Sequence, residues 1–230
     1  MTHLLIALAL ADDAGDALLA QVDEALAAGD DAHLVLDITV VDKKGVEAER
    51  TLEVWQKGGD KRLVRYTEPA RLAGIGLLVP EGDTVYVYLP AYGRAKRVVG
   101  SQRSDAFMGT DFSIDDLSRL SWSEEYSATS AEGCLSLTPE DAKQHEHASV
   151  KLCTRADDHL PTEIVYLDAA GQPLRTVTLT EFKDIGPRWM AHSLAVVDHA
   201  EGTSTRAIVT SVEVDQGLDD ELFTLTTLTR

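Results

Sequence analysis

The sequence has little positive charge and no long apolar run. It contains 21 Lys and Arg against 39 Asp and Glu, a formal net charge of -18. Such a surface repels phosphate backbones and anionic headgroups, so nucleic-acid binding is disfavoured and only transient contact with a membrane is expected. No segment reaches the ~18 uninterrupted apolar residues that a membrane-spanning helix requires. These absences predict a soluble globular protein.

Cysteine is also scarce, with only Cys134 and Cys153 in the chain. Two cysteines cannot form a zinc site by themselves. The segments around both are typical of strands, and an even cysteine count in an oxidising compartment predicts a disulfide. It would close a loop of about 20 residues and contribute ~3 kcal/mol to stability on the chain-entropy model. The alternative is two buried thiols in a cytosolic protein.

The first eleven residues are short, apolar and end in Ala9-Leu10-Ala11, a small-x-small cleavage pattern. This pattern predicts that residues 1–11 are a signal peptide or its remnant, and that residues 12–230 form a single domain outside the cytoplasm. No Lys or Arg precedes the apolar run, which leaves open whether Met1 is the true start of the signal.

The full chain is 44% hydrophobic but only 6% aromatic, which is enough for a core. Residues 16–29 have apolar positions at helical spacing and predict one amphipathic helix that ends at Gly29. From Leu34 onward the period changes to two, and about ten or eleven strands joined by short turns follow. Consecutive antiparallel strands predict a mainly β (α+β) fold, a meander or open barrel.

The strand spacing also predicts a register for the first hairpin. Leu36 is expected opposite Leu52 and Leu34 opposite Val54, which places Trp55 on the other face. A one-residue slip in a later strand would exchange Val85 and Val87 for the neighbouring tyrosines.

The segment from Arg103 to Leu117 interrupts this run of strands. Its apolar side chains Phe107, Met108 and Phe112 stand among turn-forming Gly and Asp residues. Ser113, followed three residues later by Asp116, predicts a helix start with a capping box. Two interpretations remain open, a lid over the sheet or an ordinary plug of the core.

No residue pattern indicates catalysis, a metal or a cofactor. His145-Glu146-His147 predicts a solvated loop rather than a metal site, because a third ligand cannot be identified. The pair Asp115-Asp116 and the run 219–221 are typical of helix starts and turns. We therefore expect a protein that is not an enzyme, with a hydrolase whose site the sequence hides as the remaining alternative.

Three blocks, taken together, are typical of one family. The first is Leu77-Leu-Val-Pro-Glu-Gly-Asp-Thr-Val-Tyr-Val-Tyr-Leu-Pro90. The second comprises Pro90-Ala-Tyr-Gly-Arg-Ala-Lys-Arg97 and Arg103-Ser-Asp-Ala-Phe-Met-Gly-Thr-Asp-Phe-Ser113 with Asp116-Leu117, and the third is Phe223-Thr-Leu-Thr-Thr-Leu228. In this order they resemble the outer-membrane lipoprotein-sorting protein family of LolA/LolB-like periplasmic carriers. The likeness extends over nearly all of the chain after the leader.

This resemblance implies an open antiparallel half-barrel, covered by the N-terminal helix and by the mid-chain loop and helix as a lid. It implies a hydrophobic cavity that carries a lipid, or the acyl chains of a lipoprotein, between the inner and outer membranes. Cargo of this class includes phospholipids, hopanoids and sterols, and the implied partner is an inner-membrane transporter of the resistance-nodulation-division (RND) type. Because Lol carriers hold their lid with an arginine, Arg103 is the candidate for that role.

The resulting hypothesis is a periplasmic carrier without catalysis. The alternative is a periplasmic sensor or adaptor of the same fold that recognises lipid or misplaced protein and regulates a membrane partner. The predicted cavity lining consists of apolar residues on the inner sheet face and in the lid: Leu36, Ile38, Leu52, Val54, Leu78, Val85, Val87, Leu89, Phe107, Met108 and Phe112.

Overall fold

A computed structural model describes residues 2–27, 29–82, 84–186 and 188–230, with side chains from residue 14 onward. Met1 and the side chains of the predicted leader lie outside this description. Asp83, in the predicted hairpin turn, also lies outside it.

Thirteen strands form one antiparallel sheet in the described part of the chain. They are β1 (Asp31–Val41), β2 (Glu47–Lys57), β3 (Lys61–Glu68), β4 (Gly76–Val79), β5 (Val85–Leu89), β6 (Arg94–Val98), β7 (Tyr126–Ala131), β8 (Cys134–Pro139), β9 (Ser149–Thr154), β10 (Pro161–Leu167), β11 (Pro173–Asp184), β12 (Trp189–Asp198) and β13 (Thr203–Val214). The predicted mainly β, open half-barrel architecture is confirmed, with more strands than the ten or eleven expected.

The strand order explains why a mid-chain segment must cross the open face. The order is β6-β5-β4-β3-β2-β1-β13-β12-β11-β10-β9-β8-β7, so the chain starts in the middle of the sheet and proceeds to one edge at β6. It then resumes at the opposite edge with β7 and returns to the middle. Residues 99–125, which we call the covering segment, connect the two edges.

The helices are few and lie outside the sheet. They are α1 (Thr2–Leu26), α2 (Ile114–Ser118) and α3 (Leu225–Leu228), with short 3-10 turns at Pro90–Tyr92, Gly100–Ser104 and Asp220–Phe223. Within the described ranges, no helix combines the length and the apolar character needed to cross a membrane. The capping box predicted at Ser113 and Asp116 is confirmed at the start of α2.

The first helix ends earlier than predicted, at Leu26 instead of Gly29. Gly29 has φ +119°, which side-chain-bearing residues rarely adopt, and a Cβ there would lie 2.5 Å from Oδ1 of Asp215. The neighbouring Asp30 N–H donates to the same Asp215 oxygen at 2.8 Å. The chain therefore leaves the helix early to join β1 beside the end of β13.

The predicted first-hairpin register is confirmed. Leu36 pairs with Leu52, and Leu34 pairs with Val54. Trp55 lies on the outer face, in a small cluster formed with Leu63, Leu78 and Phe223 beneath the C-terminal segment. The inner face carries the main core, which includes Ile38, Leu52, Val64, Leu77 and Val85.

The predicted disulfide between Cys134 and Cys153 is confirmed, across a sequence separation of 19. The two cysteines are directly paired between β8 and β9, and their Cα atoms are 4.3 Å apart. The disulfide therefore joins adjacent strands near the β7 edge of the sheet.

Helix α1 lies against β7 at a very close approach. Gly15 is buried, and a Cβ at this position would lie 2.1 Å from the carbonyl oxygen of Ala128. Asp16 Oδ1 accepts a hydrogen bond from Ala128 N at 2.6 Å, and Asp23 Oδ1 accepts one from Trp122 N at 2.7 Å. The missing side chain at Gly15 is thus what allows the helix to dock.

We predict that Gly15→Ala destabilises the protein. In an exposed helix this change stabilises by up to about 1 kcal/mol, but here the added methyl meets backbone atoms, and overpacking costs about 1–3 kcal/mol. Urea denaturation measures the difference. Ala20→Gly, on the exposed side of α1, is the control and should cost only the propensity term of about 1 kcal/mol. A Gly15→Ala protein as stable as wild type would contradict the docking geometry.

Candidate functional site

The covering segment inserts its two phenylalanines into the inner core. Phe107 and Phe112 are buried, and the Phe107 ring stacks on Tyr66 with ring centroids 5.6 Å apart. The Phe107 N–H donates to the Phe112 carbonyl at 2.8 Å across a tight turn. Met108 and Gly109 at this turn both have positive φ, 55° and 71°. The segment therefore covers the sheet and fills part of its inner face.

Sheet residues hold the covering segment by polar contacts as well. The Asp111 carboxylate accepts hydrogen bonds from Thr203 Oγ1 and Thr205 Oγ1, both at 2.5 Å. Arg175 on β11 donates to the Asp111 carbonyl at 3.0 Å, and Arg50 on β2 donates to the Met108 carbonyl. The loop is therefore fastened at its tip from three strands.

A further arginine on the sheet, Arg62 of β3, contacts the C-terminal end of α2. It donates to the carbonyl of Leu117 at 3.1 Å and to that of Arg119 at 2.8 Å. Arg103, the predicted lid arginine, instead pairs with Asp115 at 3.1 Å and with Glu125 at 3.2 Å, both within the covering segment itself. Arg103, the candidate lid arginine, therefore holds α2 from within the covering segment and not from the sheet.

A buried ionic cluster lies behind α2. Arg119 pairs with Asp115 and, at 3.0 Å, with Glu125. Asp116 accepts a hydrogen bond from Tyr166 at 2.6 Å and pairs with Arg175 at 2.9 Å. Burial opposes ionisation of Asp116, but Arg175 and Arg119 outweigh it and hold the pKa of this carboxyl below its ordinary value. Of the two acids predicted as helix-start residues, Asp116 thus also anchors α2 to β10 and β11, whereas Asp115 pairs with Arg103 and Arg119 inside the covering segment.

Two histidines complete this cluster. His147 Nε2 lies 2.9 Å from the Tyr126 hydroxyl, and the His145 and His147 rings lie 4.9 Å apart. The His147 ring also meets Tyr166 edge-on. The prediction of a solvated loop at His145-Glu146-His147 is therefore wrong for both imidazoles, because they pack against tyrosine rings of β7 and β10. Burial, together with His145 and Arg119, lowers the pKa of His147 to about 4.

A polar cavity of about 570 Å³ lies beside the loop of the covering segment. Most of its charged lining is acidic, including Asp42, Asp105, Asp198 and Glu201, and Arg175 also lines it. Although it is the larger cavity, carboxylates make it unsuitable for an alkyl chain, because burying ionised groups against hydrocarbon is costly. We therefore place the candidate ligand site elsewhere.

The candidate site is an apolar cavity of about 220 Å³ between the end of α1 and the inner sheet face. Its mouth lies near Leu26 and Trp189, which are 39% and 45% exposed. The lining is mostly aliphatic and comes from both halves of the sheet: Ala25, Leu26, Ala32, Leu34, Leu36, Val54, Gln56, Arg62, Leu160, Pro161, Leu179, Phe182, Arg188, Trp189, Met190, Ala191, Leu194 and Val209.

Two of the predicted lining residues, Leu36 and Val54, lie in this cavity. The other inner-face predictions, Ile38, Leu52, Val85, Val87, Leu89, Phe107, Met108 and Phe112, are packed in or against the main core. The residues from β11 and β12 were missed, because the sequence alone does not show which distant strands meet under α1.

The inner-face placement of Leu78 is wrong. Leu78 pairs with Tyr86, and both belong to the outer cluster. Its neighbour Leu77 pairs with Val87 and faces the main core. All four residues of β4 are buried, so alternation could not reveal which of its leucines faces inward.

Comparisons with known proteins agree with this architecture. The model of a protein family described as "Uncharacterized protein" matches residues 58–230, and the chain belongs to that family. No curated protein matches the sequence.

Several solved structures share the fold. One, described as an outer membrane lipoprotein-sorting protein domain from Vibrio parahaemolyticus, has a TM-score of 0.82 at 23% identity and covers 95% of this chain and 100% of its own. A DUF1329 family protein from Desulfovibrio piger has a TM-score of 0.85 at 22% identity over 95% and 99%. A LolA superfamily protein from Nitrosomonas europaea has a TM-score of 0.74 at 20% identity over 91% and 97%. The predicted resemblance is thus confirmed at the level of the fold.

We predict that the half-buried His147 makes stability depend on pH. Its folded pKa of about 4 lies below the ~6.5 of an unfolded imidazole, so the unfolded chain binds more protons between these values. Stability should therefore fall as pH drops from about 6.5 to about 4, by on the order of 2 kcal/mol after allowance for partial exposure.

The measurement is urea denaturation across this pH range for wild type, His147→Gln and His199→Gln. The first variant should flatten the slope, whereas the second, at an exposed position, should retain it. Identical slopes for wild type and His147→Gln would show that this imidazole is not buried in its neutral form.

Proposed function

We propose that the protein is a periplasmic carrier, without catalysis, that binds an acyl chain of a lipid or lipoprotein in the apolar cavity. The supporting observation is that this cavity, of about 220 Å³, is left unfilled by the protein's own side chains and is lined mostly by apolar side chains. An apolar cavity of about 150 Å³ already admits benzene. Each CH₂ moved there from water contributes ~0.8 kcal/mol, so a tail is held without a polar anchor.

The volume of the apolar cavity also limits the size of the ligand that fits while the covering segment stays in its observed position. Sites for whole small molecules typically measure ~300–1,000 Å³, so the present cavity fits only part of one alkyl chain. Phe107 and Phe112 occupy the adjoining inner face. A larger cargo therefore requires the covering segment to move outward, which is the lid role in this proposal.

The proposed cellular location is inferred from the fold and the sequence together. The LolA-type fold, the disulfide and the predicted leader all support a place in the periplasm. The cargo class includes phospholipids, hopanoids, sterols and lipid-modified proteins, and the proposed membrane partner is an RND-type transporter. The experiments below address binding and transfer, on which these finer assignments depend.

We predict that Leu36→Trp abolishes uptake of lipid. Leu36 is partly exposed within the cavity, so a larger ring fills the space that the chain would occupy. Uptake is measured as removal of a fluorescent phospholipid from donor vesicles, and transfer as its delivery to acceptor vesicles. Both should fall about tenfold or more, since several buried CH₂ groups are lost.

The matched control is Val197→Trp, at a 42% exposed position on β12 outside the cavity. It should transfer lipid like wild type. Equal transfer by the Leu36→Trp protein would contradict this site, and uptake without any transfer between vesicles would favour the sensor or adaptor instead.

A further inference from the structure

The charged residues of the apolar cavity are all of one sign. Its lining includes Arg62 and Arg188 but no Asp or Glu. This bias runs against the composition of the chain, in which acids outnumber Lys and Arg 39 to 21. The neighbouring polar cavity has the opposite character, with many carboxylates and a single arginine. The two cavities therefore differ in the charge of the ligand that they would accept.

Arg62 lacks a carboxylate partner in the described part of the chain. Its hydrogen bonds go to the carbonyls of Leu117 and Arg119 and, at 2.6 Å, to the side-chain oxygen of Gln56. Its Nε is buried and has no acceptor. The arginines of the ionic cluster, Arg103, Arg119 and Arg175, each pair with a carboxylate.

This arrangement leaves an uncompensated charge beside hydrocarbon. A buried cation without a counterion is costly, and its charged form is disfavoured. Burial and the nearby Arg119 accordingly lower the pKa of Arg62 to about 10. An anion in the cavity would relieve this cost.

Arg188 repeats the pattern at the mouth of the cavity. Its Nη1 donates to the Glu24 carbonyl at 2.5 Å, and its Nε is buried without an acceptor. No carboxylate oxygen among the described residues lies within 4.0 Å of its guanidinium. The cavity lining therefore includes two guanidinium groups, each bonded to neutral oxygens and neither paired with a carboxylate among the described residues.

We propose that the occupant of this cavity is an amphiphile with an anionic head group, a carboxylate or a phosphate, bound by Arg62 or Arg188 while its alkyl chain lies against Leu36 and Val54. The inference rests on the proposed carrier function and narrows its ligand class. Guanidinium donors bind carboxylates and phosphates through charge-assisted hydrogen bonds, which are roughly twice as strong as neutral ones.

The test compares ligands that share one alkyl chain and differ only in the head. Dodecanoate, dodecyl phosphate, dodecanol and dodecylamine are titrated into the full chain by calorimetry below their micelle concentrations. Both anions should bind at least about tenfold more tightly than dodecanol, and dodecylamine should bind most weakly. The net charge of -18 would by itself favour the amine, so a preference for anions must come from the site. The tighter anion identifies the head group.

Variants assign the effect to the two arginines. Arg188→Gln or Arg62→Gln should reduce the ratio of anion to alcohol affinity towards one. Arg206→Gln, at an exposed arginine on β13, should keep the wild-type ratio. If Arg62→Gln fails to fold because Leu117 and Arg119 lose their donor, Arg188→Gln and the ligand series still decide the question.

Equal affinities for dodecanoate and dodecanol, or an unchanged ratio in both folded variants, would overturn the anionic ligand while leaving the carrier function in place. Failure of every dodecyl compound to bind would instead remove the carrier function and this inference with it.

Discussion

An open sheet cannot bury its inner face against itself, and this constraint shapes the whole molecule. Thirteen strands curve around an apolar surface that closes neither into a barrel nor onto a second sheet. The chain places the connection between the two sheet edges across this surface, where Phe107 and Phe112 bury part of it. Helix α1 covers another part through the close approach at Gly15. The apolar cavity is the part that neither element fills.

The covering segment is fastened by interactions of two physical kinds. The phenylalanines contribute apolar burial, whereas Asp111, Asp115 and Asp116 contribute hydrogen bonds and ion pairs with sheet residues and with Arg119. Buried ion pairs add little net stability compared with an apolar replacement, but breaking one is expensive. Such contacts favour a single closed geometry. Partial displacement of the covering segment would leave buried charges without partners.

Local patterns in the sequence predicted much of the fold. Alternation in the first hairpin predicted its register, and Ser113 with Asp116 predicted the start of α2. The predictions failed where packing between residues distant in the sequence determines which way a side chain faces. Leu78 lies in a strand buried on both faces, and the two histidines near position 146 turn inward to tyrosines from β7 and β10. The cavity itself joins β1 and β2 to β11 and β12, a meeting that no local spacing encodes.

The central claim is that this fold encloses more apolar wall than its own side chains fill. It is tested most directly by the mass of the intact protein isolated from its native cells without detergent and measured under non-denaturing conditions. The account predicts a fraction of molecules with the added mass of a lipid, which is lost when the protein is unfolded. A protein that is free of adducts as isolated, and that remains so after incubation with lipid vesicles, would contradict it.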